Sequence, residues 1–138
     1  MNKNLDSSDK NIVRNDKKGK QGFKRLYNAF FYSLDGIKAA WREEEGFRQV
    51  FIIGILGIIF GVILGENLSE KFILSFMGVF CIIVELFNSA IENAIDHTSL
   101  ELHPLAKKAK DMGSAAQMIS TGFFALTWGY FLIDKFIL

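Results

Sequence analysis

Three long apolar runs dominate the chain, and polar residues interrupt them in an ordered way. The first, from Val50 to Gly65, carries no charge, and Phe47 extends it toward an interface. The second, from Phe72 to Ile91, has Glu85 as its one charge, and the third, from Met112 to Ile133, has none. About 20 residues are needed to cross roughly 30 Å of hydrocarbon, so these runs predict three transmembrane helices, at about 47–65, 72–93 and 111–134. Ahead of them lies a different pattern. Between Gly22 and Glu45 the apolar positions are Phe23, Leu26, Tyr27, Phe30, Phe31, Leu34, Ile37 and Trp41, while Lys24, Arg25, Asp35, Lys38 and Arg42 fall mostly elsewhere. Steps of three and four predict an amphipathic helix over 22–45. Aromatics on one face and basic groups on the other suit a helix lying in the membrane interface. The expected fold is all-α and integral to the membrane, with this interfacial helix preceding three spans.

Composition adds limits at both ends of this picture. Residues 1–21 are rich in Lys, Asn, Asp and Ser and poor in large apolar side chains. Such a segment cannot bury enough surface to fold alone, so a disordered tail is expected there, followed by one domain over 22–138. No apolar stretch with a small-residue cleavage site opens the sequence, so a cleaved secretory signal is not expected. The lone Cys81 lies within a predicted span and is expected to be a buried, inert thiol.

The formal net charge of +1 hides a strong asymmetry. Eleven Lys and Arg residues precede the first span and three more, Lys107, Lys108 and Lys110, lie between the second and third. The connection 66–71 has only Lys71, and the C-terminal end only Lys135. The positive-inside rule therefore places the N-terminus and the 92–111 segment in the cytoplasm.

The second span carries the candidate chemistry. At about 100° per residue, Glu85, Asn88, Glu92 and Asp96 share one stripe of the helix. An ionised group at bilayer depth costs roughly 2.5–3.5 kcal/mol on insertion scales, which marks Glu85 as a functional residue. Asn88 and Ser89 have a plainer reading as hydrogen-bonding groups between membrane helices, and Glu92 and Asp96 as solvated residues beyond the hydrocarbon. Convergence favours a site: Glu43, Glu44 and Glu45 enter the first span, Glu92 leaves the second, and Lys110 and Asp111 open the third. Carboxylates from two elements plus a lysine at one depth suit Mg²⁺ bound together with a polyphosphate, because Mg²⁺ takes a few carboxylates and keeps other positions for phosphate oxygens. The P-loop spacing is absent, as are a zinc pattern around His97 and His103 and a nucleophile elbow. The residues alone lead to a membrane protein with a cytoplasm-facing acidic site, and no further.

Three motifs extend this reading. They are Ala39-Ala40-Trp41-x-x-Glu44-x-x-Phe47-Arg48-Gln49, Glu85-x-x-Asn88-Ser89-Ala90-Ile91-Glu92-x-x-x-Asp96 and Ala106-Lys107-x-Ala109-Lys110-Asp111-Met112-Gly113-Ser114-Ala115-Ala116. In this order and spacing, residues 22–138 resemble the bacterial integral-membrane diacylglycerol kinase and undecaprenol kinase family. The resemblance implies ATP-dependent phosphorylation of a lipid hydroxyl at the bacterial cytoplasmic membrane, with Mg²⁺. It also implies a homotrimer with active sites shared between subunits, and no nucleic-acid partner is expected. Glu85 matches the family's catalytic base, and Glu44 and Glu92 match the residues that hold the magnesium–nucleotide complex. Arg25, Tyr32, Glu101, His103, Lys110 and Asp111 align with positions lining the nucleotide site. Trp41, Phe47, Gln49, Asn88 and Ser114, with Arg25 and Glu85, fall where the family holds the lipid or supports the base. Pro104 before Leu105-Ala106-Lys107-Lys108 resembles the undecaprenol branch, whereas Asp111-Met-Gly-Ser-Ala-Ala resembles the diacylglycerol branch, which is the acceptor favoured. A proton-coupled exporter using Glu85 is the reading from another class, although it has no use for Glu44, Glu92 and Lys110 together. A structural subunit of a larger complex is the plainest.

Overall fold

The computed structural model describes residues 22–98 and 103–138. The predicted tail (1–21) and Glu101 lie outside the described residues. Among the described residues, the chain is all-helical: α1 (Phe23–Glu43), α2 (Glu45–Leu64), α3 (Leu68–Thr98) and α4 (Pro104–Phe136). The last three are long and apolar enough to cross a membrane. Both α3 and α4 run past the hydrophobic windows, because helix geometry persists where hydropathy ends. The polar continuations, such as Glu92 to Thr98 and Pro104 to Asp111, are therefore helical as well.

The chain divides into two compact units between Leu34 and Asp35, with α1 crossing the division. The first unit holds the aromatic part of α1. Tyr27 and Phe31 pack with ring centroids 4.7 Å apart, Phe30 meets Phe31 edge-on at 5.6 Å, and Phe23, Leu26 and Phe30 are exposed. Their exposure leaves an apolar face on an otherwise charged helix.

In the second unit, α3 packs against both α2 and α4. Glycines set how closely. A Cβ added at Gly54 would lie 2.9 Å from the carbonyl oxygen of Gly78 and 2.8 Å from the Ile82 side chain, so the α2 and α3 backbones meet at this point. At Gly61 an added Cβ would meet Leu74 at 2.8 Å. Small residues let membrane helices gain dispersion contacts that the hydrophobic effect cannot supply between apolar surfaces already in lipid. On the other side of α3, the buried Cys81 thiol lies 3.3 Å from the Ser120 carbonyl oxygen of α4, as a free cysteine. Among the described residues the inward-facing core is small (Ala40, Phe47, Leu74 and Cys81 are its buried apolar members), and most Ile, Leu and Phe side chains of the spans face outward. That is the distribution expected where the solvent is hydrocarbon.

Helix ends are fixed by local hydrogen bonds. At the α2–α3 connection the Asn67 carbonyl oxygen of the side chain accepts from Glu70 N at 3.0 Å, and the Glu70 carboxylate accepts from Glu66 N at 2.8 Å. This reciprocal arrangement is a capping box reaching one residue further back than usual. His103 caps α4: its Nδ1 accepts from Leu105 N at 3.2 Å, with Pro104 in the first turn, where a missing N–H costs nothing. The break between α1 and α2 falls at Glu44, whose backbone is extended (φ −109°, ψ 112°).

Candidate active site

The turn at Glu44 is where the site begins. Arg48, one turn into α2, donates from Nη1 to the carbonyl oxygens of Trp41 (3.1 Å) and Arg42 (3.4 Å), satisfying the exposed C-terminal end of α1 with a cation. Trp41 meets Phe51 edge-on at 5.5 Å, and Phe47, only 1% exposed, packs on the same ring at 5.7 Å. Trp41 and Phe47 thus act as the apolar clamp of the turn. Gln49 points along α2 to Glu45, 3.3 Å away. With the turn clamped, Glu44 projects toward α3: its Oε1 accepts from the Asn93 amide at 2.6 Å. The same amide nitrogen donates to the Ser89 carbonyl oxygen at 2.9 Å, which anchors Asn93 to its own helix.

One helical turn away from Ser89 toward the middle of α3 lies Glu85, only 6% exposed. Its carboxylate rests on the α-carbon of Gly46, where an added Cβ would stand 2.7 Å from Oε1. Glycine at 46 is therefore what allows α2 to pass so close to this acid. Glu92 and Glu44 are near enough for their charges to act on Glu85, and both also act on Lys110 of α4. Lys110 holds Asp96 through both carboxylate oxygens, at 2.9 and 3.0 Å. Neither Glu85 nor Glu92 has a hydrogen-bond or ion-pair partner among the described residues. Among the described residues, these four carboxylates beside Lys110 leave an excess of negative charge.

The predicted stripe is thus split between two neighbours. Glu85 faces α2 at Gly46, Asp96 faces α4 through Lys110, and Asn88 faces α4 at Gly113, where an added Cβ would abut its Oδ1. That oxygen is buried without a hydrogen-bond partner, so the glycine there leaves it the room it occupies. Asp111 pairs with Lys107 along α4, Ser114 is exposed on α4 one turn beyond Lys110, and His103 is engaged as the α4 cap. Arg25 and Tyr32 belong to the first unit, where Arg25 N closes the first turn on the Gly22 carbonyl oxygen at 3.0 Å. Pattern alone does not single out Gly46 or Asn93, and it gives Gly113 a place in the third motif but no role. Asn93 lies about 100° off the stripe, and a glycine's role as a contact surface appears only when its neighbouring helix is known.

Among the described residues, no three His, Cys, Asp or Glu side chains converge closely enough to form a metal cage by themselves. The donor set nevertheless fits Mg²⁺ arriving with a phosphate: hard carboxylate oxygens from two elements, one of them oriented by an amide, with further coordination left to the ligand.

Fold and cluster together define the class first, a multi-pass membrane protein with a buried acid beside a charged cluster. The chain matches the family model of prokaryotic diacylglycerol kinases over residues 31–132. A diacylglycerol kinase of Helicobacter pylori is 47% identical over 117 residues, covering 85% of this chain and 91% of that protein. Those of Pseudomonas aeruginosa and Escherichia coli K12 are 43% identical over 116 residues and 36% over 115, covering 84% and 83% of this chain and 94% of each relative. The chain belongs to the prokaryotic diacylglycerol kinase family and is a lipid kinase of the bacterial membrane.

Proposed function

We propose that this protein transfers the γ-phosphoryl group of ATP to the free hydroxyl of diacylglycerol, giving phosphatidic acid and ADP, at the cytoplasmic face of the bacterial inner membrane. The observation that carries this is the position of Glu85: a buried carboxylate without an ion-pair partner among the described residues, next to the cluster of Glu44, Glu92 and Lys110. In this reading Glu85 takes the proton of the lipid hydroxyl while the oxygen attacks the γ-phosphorus, and the bond to the bridging oxygen of ADP breaks. Glu44 and Glu92 hold Mg²⁺, which neutralises phosphate charge when bound. Lys110, steadied by Asp96, offers its ammonium to the same phosphates. By resemblance to the family, Arg25, Tyr32, Glu101, His103 and Asp111 are assigned to the nucleotide, and Trp41, Phe47, Gln49, Asn88 and Ser114 to the lipid or the support of the base. The basic N-terminal region and the lysines of the 92–111 segment support a cytoplasmic orientation, and the apolar face of α1 supports an interfacial position.

A homotrimer with shared sites accords with α4, which leaves Ser114 exposed on a helix long and apolar enough to cross the membrane. Polar groups in hydrocarbon require partners, and neighbouring copies supply them. The curated relatives named above favour diacylglycerol as acceptor, while the Pro104 segment keeps undecaprenol as the second reading. Release of ADP by purified protein in detergent, measured side by side with diacylglycerol, with undecaprenol and without lipid, tests both. Turnover stimulated by diacylglycerol is expected. Stimulation by undecaprenol alone reassigns the acceptor, and ATP hydrolysis indifferent to lipid sinks the proposal.

A further inference from the structure

Glu44 occupies an unusual place for a side chain that has to be held still. It is the residue capping α2, with non-helical backbone, next to the N–H groups that open that helix. A carboxylate there can turn back toward those N–H groups and the positive end of the helix dipole, although glutamate, one methylene longer than aspartate, is not among the residues that cap by preference. In this structure it does not: Glu44 makes no side-chain capping bond. It is drawn instead across to α3 by Asn93, at 2.6 Å, and Asn93 is itself tied by the same nitrogen to the Ser89 carbonyl oxygen at 2.9 Å. The competing geometry remains available to Glu44 through an ordinary side-chain rotation.

We infer that Asn93 is a positioning residue, whose side-chain amide keeps the Glu44 carboxylate off the α2 N-terminus and beside Glu92 as an oxygen donor for a divalent cation. The inference rests on the reading of Glu44 and Glu92 as metal-holding residues given above. An amide is suited to the task. It donates to one carboxylate oxygen without neutralising the charge, so the other oxygen stays available to the cation; a lysine at 93 would compete with the metal for that charge. Partners one step removed from a metal orient its ligands, and their loss commonly weakens metal affinity about 10- to 100-fold.

The test compares Asn93→Ala, the isosteric Asn93→Asp and the donor-restoring Asn93→Gln with Glu44→Gln in full-length, detergent-purified protein. Binding of Mn²⁺ in the presence of a non-hydrolysable ATP analogue, followed by electron paramagnetic resonance, is read beside the Mg²⁺ dependence of turnover. Mn²⁺ binding about ten-fold weaker or worse is expected in Asn93→Ala and Asn93→Asp, with partial recovery in Asn93→Gln. The Mg²⁺ concentration for half-maximal rate should rise in parallel, and kcat at saturating Mg²⁺ should stay within a few-fold. Asn93 is exposed, so these variants should melt like the parent chain. Weakened binding in Glu44→Gln with unchanged binding in Asn93→Ala and Asn93→Asp overturns the positioning role alone. Unchanged binding in Glu44→Gln overturns the metal reading beneath it.

Discussion

The two ends of the α2–α3–α4 bundle treat acidic side chains in opposite ways. At one end, Glu66 pairs with Lys135 at 2.8 Å, the lysine also lying over the Phe131 ring, and Glu70 is consumed in capping α3. At the other end, among the described residues, Glu44, Glu85, Glu92 and Asp96 gather with Lys110, and that cation is already engaged by Asp96. The first arrangement satisfies charge within the chain and belongs to the fold. The second leaves charge unsatisfied, works against folding through like-charge repulsion, and makes sense as a place prepared for cations that arrive with a ligand. Stability and activity should therefore respond in opposite senses to mutations at the two ends.

The largest effect is expected at Glu85. Glu85→Gln keeps the shape against Gly46 and removes the base, so lipid-dependent turnover should fall at least ~10²-fold, while the melting temperature holds or rises as a buried charge disappears. Retained turnover would remove Glu85 from the role of base. Glu44→Gln and Glu92→Gln come next. Each should raise the Mg²⁺ requirement by about ten-fold or more, again without loss of thermal stability, as measured by rate against Mg²⁺ and by thermal unfolding in detergent. A destabilised Glu92→Gln would mean that its charge serves the fold after all, and the contrast between the two ends would fail.

Between the ends the helices simply have to meet, and there a mutation should harm both properties through packing. Gly78→Ala places a methyl group against the Gly54 carbonyl oxygen of α2, which is backbone and cannot rotate away. The helices must part, at an expected cost of about 1–3 kcal/mol in stability, with activity falling only as far as unfolding removes protein. Normal stability in this variant would show that α2 and α3 do not cross as closely as Gly54 and Gly78 place them.

Much of this contrast is legible in the sequence. Uninterrupted apolar runs admit few architectures, because a segment that cannot expose its backbone to hydrocarbon must be helical. Glu85 stood out because a charge amid such a run is costly. What sequence periodicity does not carry is pairing. The stripe on α3 suggested one acidic face, yet Glu85 turns to α2, and Asn88 and Asp96 to α4, since α3 lies between them. Gly46 and Gly113 look like ordinary small residues until the acid or amide resting on each is seen. Asn93 was hidden for a similar reason: its partner is 49 positions away, at a break between two helices whose angle no local pattern specifies. The lengths of α3 and α4 escaped hydropathy too, because the water-facing turns that carry Glu92, Asp96 and Lys110 remain helical without being apolar.

The smallest effect is expected where charge is already matched, and its pH dependence is the sharpest check on the comparison. Hydrogen bonding and charge attraction from Lys135 hold the Glu66 carboxyl below its ordinary value in the folded protein. A lowered folded value means that the unfolded chain binds the proton first as the solution is acidified. The stabilisation from this pair is thus complete above the ordinary glutamate range, declines as pH falls through the folded value, and is absent below it. The pair is exposed on the glutamate side, so solvent and salt screen it and its contribution is slight. Glu66→Gln should melt slightly below the parent chain at neutral pH and together with it in strong acid, with lipid-dependent turnover unchanged. A gap in melting temperature that persists in acid would assign Glu66 a role other than its charge. A loss of turnover would show that the far end is not independent of the site, because no carboxylate in the Glu44–Lys110 cluster touches this pair.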